Sequence, residues 1–279
     1  MDATLKLHPA SSWGALGFLG LAVGVAALWL ALNFAVPQLQ ATGVAFVVIR
    51  LVIHTALLLG IWLGLARTGF AGAKRMQIWL ALAIPLTVWL ALVWWLAVAG
   101  AFRPAPGLPA LPIAIFLPVL MAVPVLLSSK VIGALLDATP AAWLIGLQVY
   151  RIFGGIFLVS WARGGIAGIF ALPAGIGDVL VGVLALPVAY LVGTGAPGAR
   201  QRAMAWNWLG LFDFAVAIGI GIVTAPGPLQ LIVPDRPTAA LGTFPMVMIP
   251  AFAVPSSILL HALSLRQLLR IREDIRKPQ

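Results

Sequence analysis

Long apolar runs, separated by short stretches rich in Gly, Pro and Arg, set the pattern of this chain. A helix needs about 20 apolar residues to cross a bilayer at 1.5 Å per residue. Eight runs reach that size: residues 13–36, 44–65, 76–99, 108–127, 141–162, 174–193, 203–224 and 241–263. The runs are unbroken, whereas a membrane barrel would show segments of about ten residues with alternating character. The pattern therefore predicts an all-α fold, a polytopic membrane helix bundle of about eight transmembrane helices. Before the sixth run, Gly164, Gly165 and Pro173 interrupt the apolar character, so residues 164–175 are a candidate re-entrant segment. Such a piece is tolerated only where protein or water covers its backbone.

The polar connections are short, and residues 1–279 are expected to form a single integral membrane domain. The first run follows a polar stretch with Lys6 and His8 and is too long for the apolar core of a secretory signal, so it is read as a retained helix. After the eighth run, residues 264–279 mix Leu265, Leu268, Leu269, Ile271 and Ile275 with basic residues. They are expected to continue as a basic cytoplasmic tail helix lying on anionic lipid headgroups.

Composition agrees: 62% of the 279 residues are hydrophobic and 9% charged, against about a quarter charged in soluble domains. A net charge of +10 would point to nucleic acid in a soluble protein. Here the basic residues fall between apolar spans, which excludes a nucleic-acid partner and makes them topology signals. One side collects twelve, namely Lys6, Arg67, Lys74, Arg75, Lys130, Arg200, Arg202, Arg266, Arg270, Arg272, Arg276 and Lys277; the other has Arg103, Arg163 and Arg236. Both termini are therefore predicted to be cytoplasmic. Trp94, Trp95 and Trp161 are assigned to an outer aromatic belt, and Trp79, Trp143 and Trp206 to an inner one. With no cysteine, disulfides, thiolate metal sites, iron–sulfur clusters and a cysteine nucleophile are excluded.

Ionisable groups inside the spans carry the chemistry, since each costs about 2.5–3.5 kcal/mol at mid-membrane even on the low scales. Arg50 and His54 share one face of the second helix, and Gln148 and Arg151 one face of the fifth. Asp178 on the sixth helix lies beside Gly182 and Ala185, and Asp213 on the seventh beside Gly210 and Ala217, so neighbouring helices approach closely there. The assigned spans put Arg151, His54 and Asp213 about 15 Å below the outer boundary, Arg50 about 9 Å and Asp178 about 6 Å. The expected pairings are Arg151 with Asp213 at the midplane and Arg50 with Asp178 nearer the outside. His54 is read as a hydrogen-bonding residue in preference to a proton relay, and Asn207 as an interhelical donor. On these spans His261 sits about 15 Å lower than His54, which excludes haem held by both. No metal or cofactor is expected.

Ser257 and His261 are four apart, but without an acid nearby the serine is expected to bond its own backbone. Pro112, Pro118 and Pro124 in the fourth helix, and Pro245, Pro250 and Pro255 in the eighth, predict bends with freed carbonyls. The loop 226–237, with Asp235 and Arg236, is expected to cap the outer mouth. Gly20 with Gly24, and Gly60 with Gly64, have the spacing of close helix contacts.

Gly175, Ile176, Gly177 and Asp178 spell G-x-G-D, which resembles the motif of intramembrane aspartyl proteases such as presenilins, signal peptide peptidases and prepilin peptidases. That resemblance implies a proton shared by two catalytic aspartates, here Asp178 and Asp213. The chain departs from it, because the preceding helix offers Arg151 in place of an aspartate and no Pro-Ala-Leu tripeptide occurs near the C-terminus. Residues 148–155, 173–182, 207–213 and 244–261 together resemble uncharacterised bacterial multipass membrane proteins, which implies a bacterial inner-membrane setting and brings no activity. Three functional readings follow. The first is a transporter or permease-like protein for a small solute or ion, with Arg50, His54, Gln148, Arg151, Asp178, Asn207 and Asp213 as its ligand or proton site and no catalytic residue. The alternatives are a membrane-embedded aspartyl hydrolase and a non-catalytic scaffold or sensor.

Overall fold

The computed structural model describes residues 12–41, 43–105 and 108–276; Lys6, His8 and Lys277 lie outside them. Eight helices are long and apolar enough to cross a membrane, and no strand occurs among the described residues. They are α1 (Ser12–Ala35), α2 (Val44–Ala66), α3 (Gly72–Val98), α4 (Ala110–Ser128), α5 (Ala141–Ala162), α6 (Gly168–Gly193), α7 (Ala199–Thr224) and α8, which opens with a π-helical turn at Ile249–Ala253 and continues over Val254–Arg276. The chain is a multi-pass membrane protein.

Helix α6 is the hub of the bundle, packed against α1, α5 and α7, while α8 is packed against α4, α5 and α7. In their most apolar stretches 56%, 50% and 56% of the residues of α5, α6 and α8 are buried, against 11% for α1 and α4. The former are therefore interior helices. The latter present Leu16, Leu21, Leu28, Leu120, Met121 and Val125 outward, as lipid-facing helices do.

Two spans depart from regular α-helix. Within α5, residues Leu147–Gly155 form a 3₁₀ helix, far longer than the three or four residues usual for that form. Its tighter coil suits the close approach of α6, where a Cβ at Gly182 would lie 2.5 Å from the Ile152 nitrogen. The π-helical turn of α8 contains Pro250 and is followed by Pro255. Pro255 has no N–H to offer the carbonyl of Ala251 four residues back, and that oxygen instead accepts from the indole of Trp89 on α3 at 3.3 Å.

Several sequence expectations are corrected. Residues 164–175 are not re-entrant: the chain turns at Arg163–Gly165, where Gly164 takes φ +78°, and α6 then runs unbroken from Gly168 through Pro173. The eighth span begins at Ile249, not at residue 241, which belongs to a short 3₁₀ turn, Ala239–Gly242. Trp206 is buried, donates to the Val181 carbonyl at 3.0 Å and plays no part in an interfacial belt. Gly20, Gly24 and Gly60 have no atom within 4 Å of where a Cβ would stand, so only Gly64, against Leu135 and Thr139, makes a close contact.

Between α4 and α5, the amphipathic helix Lys130–Ala138 is fastened to α8. Arg266 donates to the carbonyls of Leu126 at 2.5 Å and Ser129 at 2.8 Å, Gln267 to those of Leu136 and Thr139, and Arg270 binds Asp137 at 2.5 and 2.9 Å. These side chains thus satisfy helix-terminal carbonyls.

Candidate functional site

In a 3₁₀ helix residues i and i+3 eclipse, so Gln148, Arg151 and Gly154 fall in one line along α5. Arg151 is buried, with its side chain 1% exposed. Its Nε donates to Asp178 Oδ1 of α6 at 2.8 Å, and its Nη2 to Asp213 Oδ2 of α7. Nη1 donates to His261 Nε2 of α8 at 3.2 Å and reaches the Gly210 carbonyl at 3.4 Å. The guanidinium also lies 3.9 Å from the centre of the Phe214 ring. One cation therefore ties four helices together.

Since Arg151 only donates, His261 Nε2 must accept, and the ring proton sits on Nδ1. Nδ1 donates to Asn207 Oδ1 at 2.9 Å, and the Asn207 amide donates in turn to Ser264 Oγ at 3.0 Å and to the Ala203 carbonyl at 2.8 Å. A continuous chain runs Ser264, Asn207, His261, Arg151 and then to both aspartates. Glycines make the room for it. A Cβ at Gly154 would overlap the Asp178 carboxylate, one at Gly177 the Asp213 carboxylate, and one at Gly210 the His261 ring.

Of the seven residues expected at the site, the structure thus brings together Arg151, Asp178, Asp213 and Asn207, and adds His261. Arg50 does not pair with Asp178. Its guanidinium is buried, Nε and Nη1 have no hydrogen-bond partner, and it acts on Tyr150 and Asp178 only at a distance. The cause is depth. Because α6 starts at Gly168, Asp178 lies ten residues in, about 15 Å, whereas Arg50 lies six residues into α2, about 9 Å. His261, twelve residues from Ile249, falls at about 18 Å, within reach of Arg151 rather than at the far interface. His54 belongs to a separate contact, donating through Nε2 to Thr87 Oγ1 at 3.1 Å, because the Thr87 hydroxyl proton is already committed to the Ala83 carbonyl at 2.7 Å. Its Nδ1 is buried without a partner, as are both amide atoms of Gln148. Ser257 does not bond its own backbone; its hydroxyl meets that of Tyr150.

A cavity of about 120 Å³ reaches this cluster from one end of the bundle. Segments 102–105 and 108–112, the turn 225–229 and residues Thr238, Leu241 and Gly242 line it, and Asp178 and Asp213 stand on its wall. Pro226, Pro228 and Leu229 line it, as expected of the 226–237 loop, while Leu231 and Val233 turn outward. Each carboxylate gives one oxygen to Arg151. Asp178 Oδ2 and Asp213 Oδ1 accept no hydrogen bond from the described residues. In the G-x-G-D stretch, Gly175 packs on Leu158 and Gly177 on Asp213. A guanidinium bridges the two carboxylates where the resemblance implied a shared proton.

No curated protein and no solved structure matches the chain. A family model described as Domain of unknown function (DUF8737) matches residues 108–269, from α4 into α8 and so across every residue of the Arg151 cluster. The chain belongs to that family.

Proposed function

We propose that the chain is a carrier for a small solute or ion, with Asp178 and Asp213, held in place by Arg151, as its binding centre and the cavity as the route to it. The observation that carries this reading is the position of the two carboxylates: both belong to a buried ionic network, and both stand on the wall of a cavity that opens between loops. A network serving only to order helices has no need of an opening. Irregular backbone supports the same reading, since 3₁₀ and π segments inside membrane helices accompany functional sites, and here one holds Arg151 while the other holds Ile249 and Pro250 of the cavity wall. The twelve-to-three distribution of basic residues orients both termini toward the cytoplasm and the cavity outward, in a bacterial inner membrane whose anionic lipids meet the basic face.

The complete pairing of Arg151 favours a second reading, a structural ion-pair network in a scaffold. Flux of a metabolite panel and of protons in proteoliposomes separates the two. The carrier reading expects at least one solute whose flux is abolished in Asp213→Asn while the variant stays folded. Flux of every solute unchanged by the substitution favours the scaffold.

A further inference from the structure

The same cavity specifies a class of ligand, an inference that rests on the carrier reading only for the direction of movement. Its walls are apolar and aromatic, with Phe102, Phe157, Phe170 and Phe214 among them, and Phe157 and Phe170 meet edge to face at 5.2 Å. The charged side chains on the lining are Arg103, at the mouth and exposed, and the two aspartates. Arg151 is sealed behind them at 1% exposure, against 12% and 8% for the Asp178 and Asp213 side chains. Beyond Arg103 at the entrance, an incoming molecule therefore meets carboxylate oxygens and no further arginine donor.

Two carboxylates against one bonded guanidinium leave a formal charge of −1 at the wall, since Arg50 makes no ion pair with either. Asp178 and Asp213 are buried residues that border the cavity, and Asp178 Oδ2 and Asp213 Oδ1 accept no hydrogen bond from the described residues. Their deficit is of donors, and of one positive charge. Aromatic faces beside a carboxylate recognise ammonium groups by cation–π attraction and charge-assisted hydrogen bonds. An engineered apolar cavity of about 150 Å³ holds benzene, so about 120 Å³ with an open mouth admits one ring-sized apolar group.

We propose that this cavity binds a small hydrophobic monoamine in its ammonium form, with the cation on Asp178 and Asp213 and the apolar group among the phenylalanines. The probes are benzylamine, its neutral isostere benzyl alcohol and the anion phenylacetate, titrated at neutral pH into the full chain in lipid nanodiscs. Benzylamine should bind, benzyl alcohol roughly tenfold or more weakly for want of the charge-assisted bonds, and phenylacetate not at all. Asp213→Asn should weaken benzylamine by a similar factor. Ala217→Phe, which fills the cavity one turn from Asp213 and leaves both carboxylates in the sequence, should abolish it. Benzyl alcohol or phenylacetate binding as tightly as benzylamine overturns the proposal, as does no binding of benzylamine, or benzylamine affinity unchanged in Ala217→Phe. Binding of benzylamine without flux would leave this inference standing and remove the carrier reading; flux of an anion through the same cavity would do the reverse.

Discussion

Replacing Arg151 by methionine, a side chain of similar length without donors or charge, probes the centre of the bundle most severely. The substitution removes four hydrogen bonds and a cation–π contact. Interhelical hydrogen bonds in membrane proteins average about 0.6 kcal/mol each, so the bonds alone account for about 2 kcal/mol. The larger effect is charge. Removing one partner of a buried ion pair costs about 3–5 kcal/mol because the other charge is left uncompensated, and here two carboxylates are left. Both border the cavity, where water and a proton relieve part of that cost, which places the expected loss near the lower bound of about 3 kcal/mol. Thermal unfolding of the purified protein should then show Tm lowered by about 6–12 °C. The triple variant Arg151→Met, Asp178→Asn, Asp213→Asn removes the charges together and should recover more than half of the loss, because a neutral core of similar volume is not penalised. If the single variant unfolds at the parent's temperature, or the triple variant is no more stable than the single, the ionic centre does not hold the helices as argued.

The remaining predictions concern space and hydrogen bonding. Gly177→Ala drives a methyl into the Asp213 carboxylate and should cost about 1–3 kcal/mol, while Gly20→Ala, with open space around it, should stay within about 0.5 kcal/mol of the parent; equal effects in an unfolding assay would contradict the packing. Asn207→Ala orphans the His261 Nδ1 proton and the Ser264 hydroxyl, for an expected loss of about 1–3 kcal/mol, and Ser264→Ala alone should cost less. Thr87→Val removes the hydrogen bond of His54 and should lower stability by about 1 kcal/mol without changing benzylamine affinity, since His54 stands apart from the cavity.

Eight spans were readable from apolar length alone, because hydrocarbon tolerates little else over 30 Å. Less readable were the starts of α6 and α8, and both errors came from proline. Pro173 and its neighbouring glycines look like a break, yet the bundle covers the backbone there and the helix runs through. Pro245 and Pro250 look like residues of a bent helix, yet the former precedes the span and the latter sits in its first, π-helical turn. Moving those two starts by six and eight residues shifts Asp178 and His261 to the level of Arg151 and Asp213, which is why Asp178 joined the wrong arginine and His261 was placed at the interface. The spacing of Gln148 and Arg151 was sound, but apolar periodicity cannot distinguish nine residues of 3₁₀ helix from α-helix when every face is apolar. A signal for His261 existed: Gly210, one turn from Asp213, is small because an imidazole occupies the space beside it.

The absence of cysteine permits a direct test of whether water and solute reach the two aspartates. Ala217→Cys places one thiol on the cavity wall, and Val52→Cys places one on the apolar outer surface of α2, where the native residue is 61% exposed. Modification by a membrane-impermeant cationic methanethiosulfonate requires a thiolate, which forms where water is present. The account predicts fast labelling at position 217 from the side of the 225–229 turn, slowed by benzylamine, and little labelling at position 52. Equal and slow labelling at both positions would contradict it.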